Sequence, residues 1–275
     1  MKIYAHGITH GGIFHADDVF ATAMLQLLAP DFTVTRLPSV STPAADTIVY
    51  DIGGGTFDHH TSSVPTRANG IPYAAFGLLW KEYGTLLCGS AAIAERIEQS
   101  LVIPIDLADN GGTRNPISDL ISAMNPAWNS SETATHAFLA AVDFARTSLQ
   151  TMIAREQADA LATAAVEEAL AQMKDHIVVF QRYLPWHSIL PASDALFVVY
   201  PSARGGWNVQ SVPHPNTHEA KLLFPQAWRG KNAEEILVLS DIPITFCHIG
   251  GFLCATDSLP HAIAAAQFAQ RVDNK

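Results

Sequence analysis

The chain has 275 residues, of which 48% are hydrophobic and 15% charged, so it has enough apolar material to bury a large core. Its formal net charge of −10 disfavours nonspecific binding to a long polyanion, although divalent cations bound at a carboxylate-rich site would reverse the sign there. No apolar run reaches the roughly 20 residues of a membrane span, and no signal-peptide pattern opens the chain. Cys88, Cys247 and Cys254 lack CxxC spacing and are typical of reduced thiols, which favours a cytoplasmic protein.

The first half of the chain alternates strand-like and helical patterns. Residues 2–9 predict a short strand, a glycine-containing loop follows, and the apolar stretch VFATAMLQLL predicts a helix that Pro30 ends. The β-branched segments FTVTRLP and TIVYD predict two further strands, and helical patterns cover residues 72–101 and 131–175. This order predicts an α/β domain with a mostly parallel sheet.

After residue 175 the pattern changes to short strands separated by Pro, Gly and Asn. HIVVFQ, ALFVVYP, WNVQSVP and TFCHIGGFLCAT are strand-like, and AEEILVLS and LPHAIAAAQFAQR predict helices. We therefore expect an N-terminal domain over residues 1–150, a connecting helix over 151–175 and a smaller C-terminal α+β domain over 176–275. The Ala/Glu-rich connecting stretch is also compatible with one more packing helix.

His and Asp collect where the predicted N-terminal strands end. In an open α/β sheet, ligands bind outside the carboxyl ends of the strands, so these side chains are expected to converge. Imidazole and carboxylate together suit Mn, Fe, Zn or Co, and an Asp able to bridge two ions describes a two-metal hydrolytic site. The candidates are His10, His15, Asp17, Asp18, Asp51, Asp58, His59, His60, Asp106 and Asp109.

Taken singly, each candidate has a simpler interpretation. His10 or His15 could be a hydrogen-bonded loop histidine, one of Asp17 and Asp18 could cap the following helix, and Asp51 could form a turn. The run of three glycines after Ile52 lacks the Lys-Ser/Thr of a phosphate-binding P-loop. Capping and turn formation do not explain so many candidates at successive strand ends, which favours a metal site.

The segments FDHH, THGGIFHADD, VYDIGGG and DLADNGG together resemble DHH phosphoesterases, and more narrowly the melanocyte-proliferating-gene family. The narrower resemblance continues through RYLPWHSIL, WNVQSVP, QAWRG and FCHIGGF, so it covers nearly the whole chain. It implies that residues 1–150 form a DHH-type catalytic domain that binds one or two divalent ions, commonly manganese. Residues 176–275 would present the substrate.

Matched to the family motifs, the sequence implies roles for particular residues. Asp51 would bridge the metals, Asp58 and His60 would be catalytic with His60 near the substrate, and Asp106 is the alternative to Asp109. His15 stands where the wider superfamily usually has Asp, which lowers the negative charge around one metal. Whether one ion or two bind therefore stays open. The implied metal ligands are His10, His15, Asp17, Asp51, His59 and Asp109.

The C-terminal half adds two candidates that would act on the substrate. Arg229, in the segment WRG, suits a phosphate contact, as does Arg204, although a surface Arg beside a buried Trp is an equally simple interpretation. His248 precedes Gly250 and Gly251, a pattern that matches the substrate-facing glycine motif of the family and also fits a strand turn. His214 and His218 stay unassigned.

The resemblance favours a metal-dependent phosphodiester hydrolase, acting as a 3′–5′ exonuclease on RNA or short oligonucleotides through metal-activated water. Manganese is the expected ion, with Mg, Zn, Co or Fe as alternatives, and a homodimer is compatible with the sequence. Two other functions stay open: a small-molecule phosphatase or pyrophosphatase that uses the same site, and a metal-binding regulator without turnover.

Overall fold

The computed structural model describes residues 2–41, 44–61 and 64–273. The chain forms two compact units, Met1–Gln157 and Ala158–Lys275. The division falls inside one long helix, because residues 134–171 are continuously helical. The functional boundaries expected from the sequence, at residues 150 and 175, stay a prediction.

The first unit is built on a three-stranded parallel sheet in the order β2-β1-β3. Its strands are β1 (His6–His10), β2 (Thr33–Leu37) and β3 (Thr47–Val49). The central strand β1 pairs in parallel with both neighbours, so the carboxyl ends of β1 and β3 lie at the same edge of the sheet. His10 ends β1, and Asp51 follows β3 by two residues.

Six helices accompany this sheet within the described residues. They are α1 (Ala16–Leu28), α2 (Ala75–Cys88), α3 (Ala91–Ile97), α4 (Ile103–Asp109), α5 (Pro116–Ala123) and α6 (Ala134–Ala171), with a π-helical turn at Glu98–Val102 between α3 and α4. All residues of α1 from Ala16 to Leu25 are buried, which explains why its sequence is apolar without a strong polar stripe. α1 ends before Pro30, because proline disfavours helical backbone in the preceding residue.

The second unit contains a five-stranded mixed sheet in the order β4-β5-β6-β8-β7. Its strands are β4 (Ile177–Val179), β5 (Phe197–Pro201), β6 (Trp207–Ser211), β7 (Ile244–Cys247) and β8 (Leu253–Thr256), and its other helices are α7 (Ala233–Ser240) and α8 (Leu259–Asp273). β4 and β5 are parallel, whereas the other pairs are antiparallel.

The segment TFCHIGGFLCAT is an antiparallel hairpin, β7–turn–β8, rather than one continuous strand. The amide of Gly251 donates to the carbonyl of His248 at 2.8 Å and closes the turn. Gly251 has φ +71°, a backbone conformation that side chains with a Cβ rarely adopt.

The predicted fold class is confirmed: an α/β unit with a parallel sheet precedes a mixed α+β unit. Each unit has its own apolar core, around Phe20, Phe76 and Phe138 in the first and around Phe197, Phe224 and Trp228 in the second. Among the described helices, none has both the length and the apolarity needed to cross a bilayer.

Candidate metal centre

A cluster of His and Asp side chains lies at the carboxyl edge of the parallel sheet, and Asp51 is at its centre. Its backbone is left-handed, with φ 57°, and its amide donates to the carbonyl of Phe57 at 2.9 Å. Asp tolerates this conformation better than most residues, and here it directs the carboxylate into the interior. Oδ2 lies 3.1 Å from His10 Nε2, and Oδ1 lies 3.4 Å from Nδ1 of both His59 and His60.

The start of α1 supplies two adjacent carboxylates to the same cluster. Asp18 Oδ1 accepts the amide of His15 at 3.0 Å and so caps the helix, while Oδ2 lies 3.2 Å from His10 Nε2. Asp17 Oδ2 accepts the amide of Ala75 at 3.3 Å and lies 3.8 Å from His59 Nδ1. Both side chains are fully buried, so capping accounts for only part of their bonding capacity.

The loop that contains Asp58, His59 and His60 is shaped by the first of these residues. Asp58 Oδ2 accepts the amide of Gly54 at 2.6 Å, and Oδ1 accepts the amide of His60 and contacts His60 Nδ1, both at 3.0 Å. These bonds hold the loop so that buried His59 faces Asp109, with Nε2 and Oδ2 at 2.9 Å. His60 has 59% of its side chain exposed and stacks on His59 with ring centroids 4.1 Å apart.

Three sets of side chains present ligand atoms within 4.8 Å of one another. Asp51 belongs to two of the sets. The sets are Asp51, Asp58, His59 and His60; His10, Asp18 and Asp51; and His15, Asp17 and Asp109.

Buried atoms without hydrogen-bond partners test whether a cation fits these residues. Asp17 Oδ1, Asp18 Oδ2, both Asp51 oxygens and His59 Nδ1 are buried and have no partner with hydrogen-bond geometry among the described residues. Leaving such atoms unsatisfied is costly, and crowding several carboxylates together adds repulsion. Divalent cations held by the three sets would give these oxygens and the imidazole nitrogen partners, so the donors fit a transition metal.

The protonation of the metal-free cluster reflects the same crowding. Burial raises the pKa of Asp18 to about 7, and burial together with the charges of Asp51 and Asp109 raises the pKa of Asp17. Contact with the Asp51 carboxylate raises the pKa of His10 to about 9, although burial acts in the opposite direction. Burial also acts against ionised Asp109, but contacts with His59 and Asp17 outweigh it and lower the Asp109 pKa.

Two open cavities flank the cluster within the first unit. One of about 590 Å³ is lined by His15, His59, His60 and Asp109 together with residues of the loop before α5. The other, of about 520 Å³, is lined by His10, Asp51, Asp58 and His60 together with the glycine loop. His15 and His60 line both cavities, so substrate could reach the cluster from either side.

Asp106, the alternative to Asp109, lies outside the three ligand sets. Its Oδ2 lies 2.7 Å from Arg67 Nη2, and its Oδ1 accepts the amide of Gly77 at 3.1 Å. A carboxylate engaged by a buried guanidinium and by the start of α2 is a structural group. Geometry therefore favours Asp109 over Asp106 as the ligand.

Arg229 and His248 lie in the second unit and flank the same turn. Arg229 Nε donates to the carbonyl of Phe224 at 2.9 Å, and its side chain packs against Gly251, where a Cβ would come 2.4 Å from Nε. His248 Nδ1 accepts the amide of Gly250 at 2.9 Å. Their expected part in substrate binding stays a prediction.

Sequence reasoning left some functional groups unassigned. Asp18 is among the sequence candidates without an assigned role, and the structure brings its carboxylate together with His10 and Asp51 in one ligand set. Arg36 was not singled out, yet its largely buried guanidinium lies 4.0 Å from Asp18 Oδ2. Two adjacent acids at a helix start are the signal for Asp18; no local pattern identifies Arg36.

The fold and this cluster define an α/β protein with a buried His/Asp centre, able to hold a metal ion, at the carboxyl edge of a parallel sheet. Residues 7–269 match the family model MYG1_exonuc, described as "Uncharacterised protein family (UPF0160)". The chain belongs to this family. It is the same family that the sequence motifs resemble.

Similar proteins extend from mammals to bacteria. A protein named "MYG1 exonuclease" from Rattus norvegicus is 28% identical over 96% of this chain and 84% of its own length. The protein of the same name from Homo sapiens is 27% identical over 96% of this chain and 85% of its own length. A "MYG1 protein" from Chlamydia pneumoniae is 28% identical over 89% of each chain. No solved structure matches the chain.

Proposed function

We propose that this chain is a divalent-metal-dependent phosphodiesterase that removes nucleotides from the 3′ end of RNA or short oligonucleotides. The observation that carries the proposal is the set of buried, unpartnered carboxylate and imidazole atoms around Asp51. The relatives named exonuclease give the reaction class, and the two open cavities beside the cluster give room for a substrate.

The residues that would hold the cation follow from the ligand sets. His10, Asp18 and Asp51 form one set and His15, Asp17 and Asp109 another, with His59 between Asp51 and Asp109. A divalent cation held by these residues would supply the Lewis acidity that phosphodiester hydrolysis needs. Manganese fits this mixed set, and magnesium fits it less well because Mg²⁺ prefers an all-oxygen shell.

His60 is the group placed to act on the substrate directly. Its Nδ1 contacts Asp58 Oδ1 at 3.0 Å, and its side chain is mostly exposed in both cavities. This contact orients the ring and leaves Nε2 available to donate a proton to the leaving oxygen or to bind the phosphate. Asp58 acts through His60 and through the loop amides that it accepts.

The test is hydrolysis of oligoribonucleotides labelled at one end, with Mn²⁺ present. A 5′ label should give a ladder that shortens one nucleotide at a time, whereas a 3′ label should be released at once as a mononucleotide. Phosphate release from pyrophosphate without laddering would replace the proposal with a small-molecule phosphatase. Metal bound without either reaction would overturn the enzymatic assignment.

A further inference from the structure

The larger cavity beside the cluster contains one cationic side chain that the metal centre does not use. Of the described residues that line the two cavities, Arg114 is the one Lys or Arg. Asp17, Asp51, Asp58 and Asp109 make the adjoining centre acidic, and Asp119 lines the same cavity as Arg114. A cationic side chain beside this acidic centre would attract a phosphate-bearing substrate.

Arg114 forms an ion pair with a carboxylate that a phosphate can displace. Arg114 Nη2 lies 2.9 Å from Asp119 Oδ2, and the two side chains are 86% and 48% exposed. Exposed ion pairs contribute little to stability because water and salt screen them. Replacing one carboxylate oxygen by phosphate oxygens, which accept a guanidinium in paired hydrogen bonds, therefore costs the fold little.

The loop that carries Arg114 is fixed on both sides. Gly112 approaches the carbonyl of Leu107 so closely that a Cβ would lie 2.6 Å from its oxygen. On the other side, Asn115 Oδ1 accepts the amides of Ile117 and Ser118 at 2.7 and 3.2 Å and caps α5. Arg114 thus extends from a loop with anchored ends, which holds its backbone beside the cavity. Ser118 lines the cavity too, and its hydroxyl is buried with no hydrogen-bond partner in the part of the chain that the structure describes.

We propose that Arg114 binds a phosphate of the oligonucleotide in this cavity, and that Asp119 holds its guanidinium there when no substrate is bound. This inference rests on the proposed function, since it names the residue that positions the substrate at the same centre. The cavity volume of about 590 Å³ is of the size that accommodates a nucleotide-sized ligand. Arg114 is a positioning residue that contributes binding, whereas the chemistry belongs to the cluster.

Three variants separate phosphate binding from a structural role. Arg114→Gln removes the charge, Arg114→Lys keeps a charge without the paired donors, and Asp119→Asn removes the ion pair but keeps the guanidinium. Their kcat and KM are measured on a 5′-labelled oligoribonucleotide with Mn²⁺, and turnover of bis(p-nitrophenyl) phosphate is measured in parallel. Direct binding of the same oligonucleotide is followed by fluorescence anisotropy.

The expected result is a rise in KM and Kd of roughly ten-fold or more for Arg114→Gln, because a charged hydrogen bond is lost, with kcat little changed. Arg114→Lys should recover part of the affinity, and Asp119→Asn should bind at least as tightly as wild type. The loss in Arg114→Gln should be larger for the oligonucleotide than for bis(p-nitrophenyl) phosphate, which lacks a second phosphate.

Two results would overturn the inference: unchanged oligonucleotide affinity in Arg114→Gln, or equal losses in Arg114→Gln and Asp119→Asn, which would make the ion pair structural. Failure of the proposed function looks different. Wild type would then hydrolyse neither substrate, while anisotropy alone would still support or contradict the role of Arg114.

Discussion

Asp18 uses its two carboxylate oxygens for different purposes. Oδ1 accepts the His15 amide and caps α1, whereas Oδ2 is buried beside His10 and lacks a hydrogen-bond partner. The first oxygen serves the fold, and the second lies 3.2 Å from His10 Nε2, where a cation could bind it. Asp51 leaves more of its bonding capacity unused, since neither of its buried oxygens has a hydrogen-bond partner among the described residues. The cluster thus retains buried polar atoms whose unsatisfied bonding destabilises the folded protein, as is common at functional sites.

Asp18→Asn should lower the affinity for Mn²⁺ by roughly ten-fold or more, a loss expected even for carboxylates outside the direct ligand shell of a metal. Asparagine keeps an oxygen that can cap α1, so the fold should be retained in circular dichroism. Isothermal titration with Mn²⁺ measures the affinity. Asp143→Asn, at an exposed acid of α6 that pairs with Arg146, is the matched control. Wild-type affinity in Asp18→Asn would remove Asp18 from the site.

The metal-free protein should lose stability as the pH rises from about 4 to about 9. The pKa of Asp18 is raised from 3.8 to about 7 in the folded state, so its contribution to stability is lost as the pH rises through that window. The pKa of His10 is raised from 6.5 to about 9, so its contribution is present below 6.5 and lost as the pH approaches 9. Melting temperatures in a chelator measure the trend.

Two comparisons make this pH prediction specific. Asp18→Asn should flatten the part of the curve below pH 7, and saturating Mn²⁺ should stabilise wild type more at high pH than at low pH, since metal competes with protons for these ligands. A melting temperature that rises with pH in the chelated protein would contradict the assigned protonation states.

At the scale of elements, two buried carboxylates hold the start of α2 beside the cluster. Asp17 accepts the amide of Ala75, and Asp106 accepts the amide of Gly77 while pairing with Arg67. Acidic groups at a helix start are favourable because the first amides have no partners within the helix. The ion pair of Arg67 and Asp106 thereby fixes a helix that contacts the His/Asp cluster through Asp17.

Gly77→Ala should destabilise the first unit, because a Cβ there would lie 1.8 Å from Asp106 Oδ2. Overpacking of this kind costs about 1–3 kcal/mol, and here it also displaces a buried ion pair. Urea unfolding measures the change in free energy. Gly55→Ala is the control, since its Cβ would meet nothing within 4 Å and its φ is not positive. Equal stability of the two variants would mean that Asp106 is free to move.

Elements with a clear local pattern were predictable from the sequence. The apolar stretch before Pro30 is within α1, and the β-branched segments around residues 33–37 and 47–49 are β2 and β3. The segment TFCHIGGFLCAT is strand-like on both sides of Gly250 and Gly251, and the strand turn that fits this glycine pair is the hairpin turn between β7 and β8. The π-helical turn after α3 has no local sequence signal.

The parts of the site that lie at strand ends or in family motifs were predictable from the sequence. Parallel strands bring their carboxyl ends together, so His10 and Asp51 could be placed near one another from topology alone. The choice between Asp106 and Asp109 depends on where Arg67 lies, and Arg67 is 39 residues from Asp106 along the chain. Long-range pairing of this kind decides which carboxylate is structural, and no sequence spacing encodes it.

At the scale of the whole molecule, a net charge of −10 limits how nucleic acid can bind. Each phosphate neutralised on a single strand contributes about −0.7 to the slope of log affinity against log salt. With Arg114 the one Lys or Arg among the described lining residues of the two cavities, we expect a shallow slope, of about −0.7 to −1.4, for a short oligoribonucleotide. Fluorescence anisotropy at roughly 50 to 300 mM KCl measures this slope. A slope steeper than about −3 would require an extended basic surface instead.

The buried cluster around Asp51 is proposed to bind a divalent cation, and the bound cation is proposed to support phosphodiester hydrolysis. The most direct test is a Mn²⁺ titration of chelator-stripped protein, wild type and Asp51→Asn, with hydrolysis of a 5′-labelled oligoribonucleotide as the readout. Wild type should be inactive when stripped and should recover activity along a saturable Mn²⁺ curve, while Asp51→Asn stays inactive over the same range. Full activity of the stripped wild type, or an Asp51→Asn curve that matches wild type, would contradict the account.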